Sequence, residues 1–290
     1  MFLDQRLEKT LLRDGYVKIP FLNIEEIQAF DVFYNQDPPK AQGTFHSTPL
    51  STNIEYRRGV TNEINKIFKR PITSIFSDDY DYFFGSFTVK EPNAADSEWN
   101  LHQDWTFIDE QKHHSLGVWV PLCDVNQKNG CLSVVKRSHR FLSNVRGTNT
   151  FSEYSNISSF IKQDYLTPIP MKAGEAILFL NSMLHYSGPN LTDERRISVN
   201  CLMFPKKAQP YHFYHDNDWE WNEVEKFESS AETMVTHNFL EGGKPRSVKS
   251  CGRMKLNTSA LTEKEFAELY KKYNRGVIER AIETARSVFR

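Results

Sequence analysis

The sequence predicts a mainly β fold with flanking helices, built on a jelly-roll core. Three observations predict it. From Tyr80 to Phe204, short apolar, aromatic and β-branched runs alternate with turn residues, the pattern of a sandwich or barrel. Helical spacing of apolar residues falls near the two ends of the chain. Inside the β-rich part, His102 and Asp104 stand two positions apart, and residues i and i+2 of a strand share a face.

Leu3 to Leu12 repeats apolar residues at helical spacing and stops at Asp14-Gly15. Tyr16 to Ile19 alternates as a short strand ending at Pro20. Asn23 with Glu26 is a capping-box variant that opens a helix through Ile27 and Phe30. Residues 35–60, with Asp37-Pro38-Pro39 and Gly43, read as a long surface loop, and active-site lids are one use of such loops. Asn62 to Arg70 reads as a helix terminated by Pro71.

Residues 80–90, the His102 segment, Leu116 to Leu122, Cys131 to Val135, Ala176 to Leu180 and Ile197 to Phe204 follow as strands. With Ile19 they predict a double-sheet jelly roll that closes its edges and keeps an interior for a site. The last third changes character. Tyr211 to Trp221 is crowded with aromatics and acids, and 228–258 is polar. Thr262 with Glu265 caps one or two helices whose stripes are Phe266, Leu269, Tyr270 and Tyr273, then Val277, Ile278, Ala281, Ile282 and Ala285. The simplest division is one domain over 1–290: N-terminal helices 1–75, a jelly-roll core about 80–205, and a C-terminal lid and helical extension about 206–290.

Composition narrows the function. Hydrophobic residues make up 39% of 290, with 21 Phe, 12 Tyr and 5 Trp, enough for a sizeable core and unlike a disordered chain. Lys plus Arg number 36 against 37 Asp plus Glu, which leaves no basic excess for nucleic-acid phosphates. No stretch has the length of a membrane span, and the amphipathic N-terminus lacks the apolar region of a signal peptide. The four cysteines show no CxxC pairing, so reduced thiols in a cytoplasm are the expectation. Expected partners are a small-molecule substrate, with no nucleic acid and no membrane, for a monomer or homodimer.

The chemistry gathers in Asn100-Leu-His102-Gln-Asp104-Trp105. One imidazole, one carboxylate and one further histidine form a facial triad that holds Fe(II) and leaves positions open. His185, just after an apolar strand, is the candidate third ligand from another strand. Arg196 opens a later strand and offers a planar fork to a carboxylate, which suits a keto-acid cosubstrate. Arg195 points the other way, as a solvated charge. His113-His114 fits a surface loop, and His139-Arg140 a turn.

His102-Gln-Asp104, the run Asn129-Gly-Cys-Leu-Ser-Val-Val before Ser138-His139-Arg140, Ala173-Gly174-Glu175, and His185-x-Ser187-x-x-Asn190 with Arg196 carry a resemblance. From Asp14-Gly15-Tyr16 to about Phe204 the chain resembles the phytanoyl-CoA dioxygenase family of Fe(II)/2-oxoglutarate-dependent oxygenases. The family pattern has Pro-Gly before Ser138-His139, where this chain has Lys136-Arg137, a change to a turn and not to a ligand.

The resemblance implies a cupin-like double-stranded β-helix and a role for each residue. His102, Asp104 and His185 would hold Fe(II), and Arg196 would pair with the distal carboxylate of 2-oxoglutarate, helped by Ser187. Trp119 would wall the cosubstrate, and Lys90 lies where a polar partner is sometimes found. Such enzymes use O2, convert 2-oxoglutarate to succinate and CO2, and usually hydroxylate a substrate C–H bond. Asp104 speaks against halogenation, because related halogenases have a small residue there. Desaturation and ring closure stay open.

Trp105 and Phe107 are either core or substrate-pocket wall. In the run 211–221, His212, His215, Asp216 and Trp219 either meet the substrate from a lid or pack the extension. The leading function is hydroxylation of an unactivated C–H bond of an amino-acid-like or natural-product metabolite. Rival readings are an acyl-CoA hydroxylase, with Arg57 and Arg58 near the CoA phosphates, a non-catalytic jelly-roll metal-binding or sensor protein, a zinc hydrolase and a nucleic-acid-modifying dioxygenase.

Overall fold

The structure, a computed structural model, describes residues 1–36, 43–237, 242–245 and 248–288, with side chains through residue 276. Asp37-Pro38-Pro39 of the expected loop, and the side chains of Val277, Ile278, Ala281, Ile282 and Ala285, lie outside the described residues.

The strands are β1 (Tyr16–Pro20), β2 (Phe45–Ser47), β3 (Tyr80–Lys90), β4 (Trp99–His102), β5 (Leu116–Pro121), β6 (Leu132–Val134), β7 (Thr167–Pro168), β8 (Glu175–Leu180), β9 (His185–Ser187), β10 (Arg196–Pro205), β11 (Tyr211–Tyr214), β12 (Glu223–Glu228) and β13 (Ser250–Lys255). The helices are α1 (Gln5–Asp14), α2 (Ile24–Gln36), α3 (Ile54–Ile75), α4 (Ser158–Asp164), α5 (Ala231–Thr236) and α6 (Glu263–Val288).

A six-stranded antiparallel sheet runs β1-β8-β5-β10-β3-β2, and a four-stranded sheet runs β4-β9-β6-β7. The predicted β core with flanking helices is present. The sheets stay open, however: β1 and β2 are edges of the larger sheet, and no barrel closes among the described residues.

Alternation along β10 sets the two faces of the larger sheet. Val199, Cys201 and Met203 join Phe30, Ile64 and Phe68 of α2 and α3 in the main core. Arg196, Asn200 and Leu202 turn to the opposite side, where a cavity lies between the two sheets. This one strand therefore separates the core from the site.

The N-terminal elements follow the sequence. Gly15, at φ +88°, ends α1 in the left-handed conformation that glycine adopts without strain. Asn23 and Glu26 exchange hydrogen bonds at the start of α2.

Helix α3 corrects two expectations. It starts at Ile54, behind an Asn53 side chain that accepts from the Tyr56 N–H, within the stretch expected as loop. It also runs through Pro71 to Ile75. Pro71 forfeits one helical hydrogen bond, but Val60, Ile64, Phe68 and Ile72 form a buried stripe on both sides of it, and their burial outweighs that loss.

The C-terminal third holds more structure than its composition announces. β11, β12 and β13 form a separate antiparallel sheet, and α6 is one helix. The Thr262–Glu265 cap is formed.

Candidate metal centre

His102 and His185 are cross-strand partners of β4 and β9, with ring centroids 4.1 Å apart. The third group arrives differently from the sequence expectation. β4 ends at His102, so Asp104 lies in the loop beyond the strand. Its backbone carbonyl accepts from Arg146 Nε at 2.7 Å, which holds the loop in place. Gln103 points away as expected, its amide donating to the Leu142 and Ser182 carbonyls. Asp104 Oδ1 then lies 3.7 Å from His102 Nε2 and 3.9 Å from His185 Nε2.

The donor set fits a divalent transition metal. One ligand atom from each of the three residues lies within 4.8 Å of the others. His102 Nδ1 sits 2.7 Å from the Asn100 carbonyl and His185 Nδ1 2.9 Å from the Met183 carbonyl. Carbonyls only accept, so each Nδ1 carries the proton and each Nε2 keeps its lone pair for a metal. Burial holds His102 well below the usual histidine range, with His185 adding to the effect. Burial also raises the Asp104 carboxyl, and a bound cation would favour its charged form. The Trp99 indole N–H donates to His102 Nε2 at 3.0 Å, the lone pair that a metal takes.

Arg196 lines the same cavity, of about 230 Å³. It is 2% exposed, its Nη1 donates to Ser198 Oγ at 2.6 Å, and its guanidinium carbon lies 5.5 Å from the Trp119 ring centre. Its Nε has no hydrogen-bond partner, and among the described residues it pairs with no carboxylate. Burial lowers its pKa to about 10, which leaves it a cation at neutral pH. A buried unpaired cation is costly, and an anionic ligand would complete this one.

The remaining expected residues divide. Trp119, Ser187, Trp105 and Phe107 line the cavity. Trp105 and Phe107 also pack with Phe84, Leu202 and Met234, so they are core and wall at once. Ser187 Oγ donates to the Gly130 carbonyl, which leaves it no proton for a carboxylate. Ser198, missed in the sequence, is the hydroxyl that meets Arg196, and its i+2 spacing on β10 was the available signal.

Lys90 does not line the cavity. Its amine donates to the carbonyls of Ser187, at 2.9 Å, and Gly188. Burial, then neighbouring Arg196, lowers it to about 6, so it is a neutral peg under β9. Trp219 and Asp216 are also outside the cavity: Trp219 lies under Arg253, and Asp216 accepts from the Asp218 backbone. The C-terminal third reaches the cavity through Met234 and His237 instead.

Comparison with known proteins agrees with this arrangement. The profile of the phytanoyl-CoA dioxygenase family matches residues 23–198, which include His102, Asp104, His185 and Arg196. Phytanoyl-CoA dioxygenase domain-containing protein 1 of Danio rerio is 31% identical over 38% of this chain and 40% of its own length. Phytanoyl-CoA dioxygenase of Arabidopsis thaliana is 27% identical over 65% of this chain and 60% of its own. The chain thus spans about half the length of these relatives.

Among solved structures, the epimerase SnoN in complex with Fe3+, alpha-ketoglutarate and nogalamycin RO superposes at TM-score 0.53, with 19% identity over 90% of this chain and 96% of that one. The alpha-ketoglutarate-dependent carbocyclase SnoK gives 0.52, also at 19% identity, over 72% and 86%. These likenesses share the jelly-roll fold. With well over half of its length matched by the family profile, the chain belongs to the phytanoyl-CoA dioxygenase family.

Proposed function

We propose that this chain is an Fe(II)- and 2-oxoglutarate-dependent dioxygenase that hydroxylates a C–H bond of a small metabolite. One observation carries the reading: a buried guanidinium without a carboxylate shares a cavity with two histidines and an aspartate aimed at one point. A structural metal site needs no such cation. When bound, iron and 2-oxoglutarate supply oxidative decarboxylation to succinate and CO2, coupled to oxidation of the substrate by O2.

The chain's own residues hold and shield these groups. His102, Asp104 and His185 would be the iron ligands, and Arg196, fixed by Ser198, would take the distal carboxylate against Trp119. Phe84, Trp105, Phe107, Leu202 and Met234 give the substrate side an apolar wall that excludes water. SnoN and SnoK are an epimerase and a carbocyclase, so hydroxylation belongs to this proposal and not to the fold.

An acyl-CoA substrate finds less support. Arg57 donates to the Met234 and His237 carbonyls, and Arg58 is held by Glu55 and Glu232. We further propose one domain, as a monomer or homodimer, in a reducing cytoplasm where Cys123, Cys131, Cys201 and Cys251 stay free. Among the described residues no helix is long and apolar enough to cross a membrane.

Anaerobic titration with Fe(II) and 2-oxoglutarate tests the assignment. A metal-to-ligand charge-transfer band is expected, removed by EDTA and weakened at least about tenfold in apparent affinity by Arg196→Ala or Asp104→Ala. Absence of the band in the wild type overturns the oxygenase reading.

A further inference from the structure

We propose that Asn181 is the substrate-recognition residue of the cavity, selecting a largely apolar small molecule that carries one neutral hydrogen-bonding group, a hydroxyl or a carboxamide. The reaction on that molecule rests on the oxygenase reading; the recognition itself does not require iron.

Asn181 is the first residue after β8 and continues the face of Phe179, which lines the cavity, by strand alternation. It lines the cavity and is 1% exposed. Its backbone N–H donates to the Ser115 carbonyl at 3.2 Å, which fixes where the side chain starts. Neither Oδ1 nor Nδ2 has a hydrogen-bond partner.

Among the described residues, other buried amides keep at least one end bonded: Asn200 leaves its Oδ1 open, but its Nδ2 donates to Ser86 Oγ. Gln103 donates to two carbonyls, Asn190 Nδ2 to three, and Asn274 to two. A buried carboxamide with both ends open is the exception that calls for a ligand. It offers a donor and an acceptor side by side, so its complement must also both accept and donate. A carboxylate only accepts, and a methyl group does neither.

The surroundings set the rest of the molecule. Phe179 lies across Gly117, where a Cβ has no room, so an aromatic ring forms the floor beside Asn181. Phe107 and Leu202 continue the apolar lining. Arg196 is taken by the cosubstrate in this reading, and Asn181 is neutral. The pocket therefore suits a flat apolar body with a single neutral polar group.

Two measurements on the full chain decide this. In the first, binding of 2-naphthol, 2-naphthamide, 2-naphthoate and 2-methylnaphthalene to metal-free protein saturated with 2-oxoglutarate, so that Arg196 is occupied, is followed by quenching of tryptophan fluorescence. The alcohol and the amide are expected to bind about tenfold tighter than the other two, and Asn181→Leu should remove that preference. Equal binding of all four, no measurable binding of the alcohol and amide, or an unchanged ranking in the variant overturns the proposal.

The second measurement separates recognition from a structural role. Asn181→Leu removes two unsatisfied buried atoms at similar volume, so the ligand-free melting temperature should rise by about 2–4 °C. A fall of that size, repeated in Asn181→Ser, shows that the amide is structural and overturns the proposal. A missing charge-transfer band with an intact probe ranking would overturn the oxygenase reading alone.

Discussion

Arg196 shows how much one buried charge can say. Its guanidinium keeps its proton at neutral pH although burial brings its pKa to about 10, so the fold carries an uncompensated cation that a ligand would neutralise. His139 is the opposite case. Burial pushes it down to about 4, its Nε2 hydrogen bonds with the Leu12 carbonyl, and its Nδ1 is buried without a partner. The unfolded chain takes up that proton near 6.5 and the folded chain only near 4. Stability therefore holds above about pH 6.5 and is lost as pH falls towards 4. Between those limits the melting temperature of the wild type should drop more steeply than that of His139→Gln, and parallel melting curves would refute the assignment. At this scale the sequence was most legible where side-chain chemistry is rare. Imidazole, carboxylate and guanidinium in a fixed order have few other uses, whereas Ser198 within β10 and Asn181 just beyond β8 are uncharged residues whose importance appears only once their neighbours are known.

Among the elements, β9 carries His185 and Ser187 in three residues, too short to hold its own position. It is held from both sides. Lys90 donates to the carbonyls of Ser187 and Gly188, and Ser187 donates to Gly130, which has φ +75°. A Cβ on Gly130 would run into the Gly188 carbonyl oxygen. Gly130→Ala should therefore cost about 1–3 kcal/mol for the left-handed backbone, plus the push on β9, and should also weaken 2-oxoglutarate binding. Gly252→Ala is the control: its φ is +96° with nothing within 4 Å, so it should lose backbone stability only. Urea denaturation and the charge-transfer titration read the two effects, and equal cofactor affinity in both variants would refute a role for Gly130 in seating β9. Element prediction succeeded where caps and alternation agreed, as in α1, β1, α2 and the core strands. It failed at α3, where a buried stripe overrides Pro71, and at β11 to β13. There Trp219 and the acids of 216–228 are used on cross-strand partners such as Arg253 and Lys249, a pattern that composition alone reads as a lid.

For the whole molecule, the departure from the family pattern at Lys136-Arg137 joins distant parts of the chain. Arg137 has φ +63°, a backbone conformation that glycine adopts freely and arginine does not. Its side chain compensates. Nε and Nη2 reach Asp14 Oδ1 at 3.2 and 3.1 Å at the end of α1, and Nη1 donates to the Tyr273 carbonyl of α6 at 2.9 Å. Asn274 adds a bond to the Lys136 carbonyl. Phe266, fully buried, packs the same helix into one cluster with Leu101 and Leu184, the residues that precede His102 and His185. The N-terminal helix, the turn and the C-terminal helix are thus tied at one guanidinium, paired with a single carboxylate and otherwise spent on a carbonyl. Arg137→Ala loses this tie and keeps the strained backbone, so it should destabilise by about 2–4 kcal/mol. Arg137→Gly loses the tie but relaxes the backbone and should recover about 1 kcal/mol of that. The predicted order is wild type, then glycine, then alanine by denaturation, with amide exchange in 263–276 faster in both variants and the charge-transfer band retained. A glycine variant as stable as the wild type would show that the arginine holds nothing together, and that α6 stays in place through Phe266 and Asn274 alone.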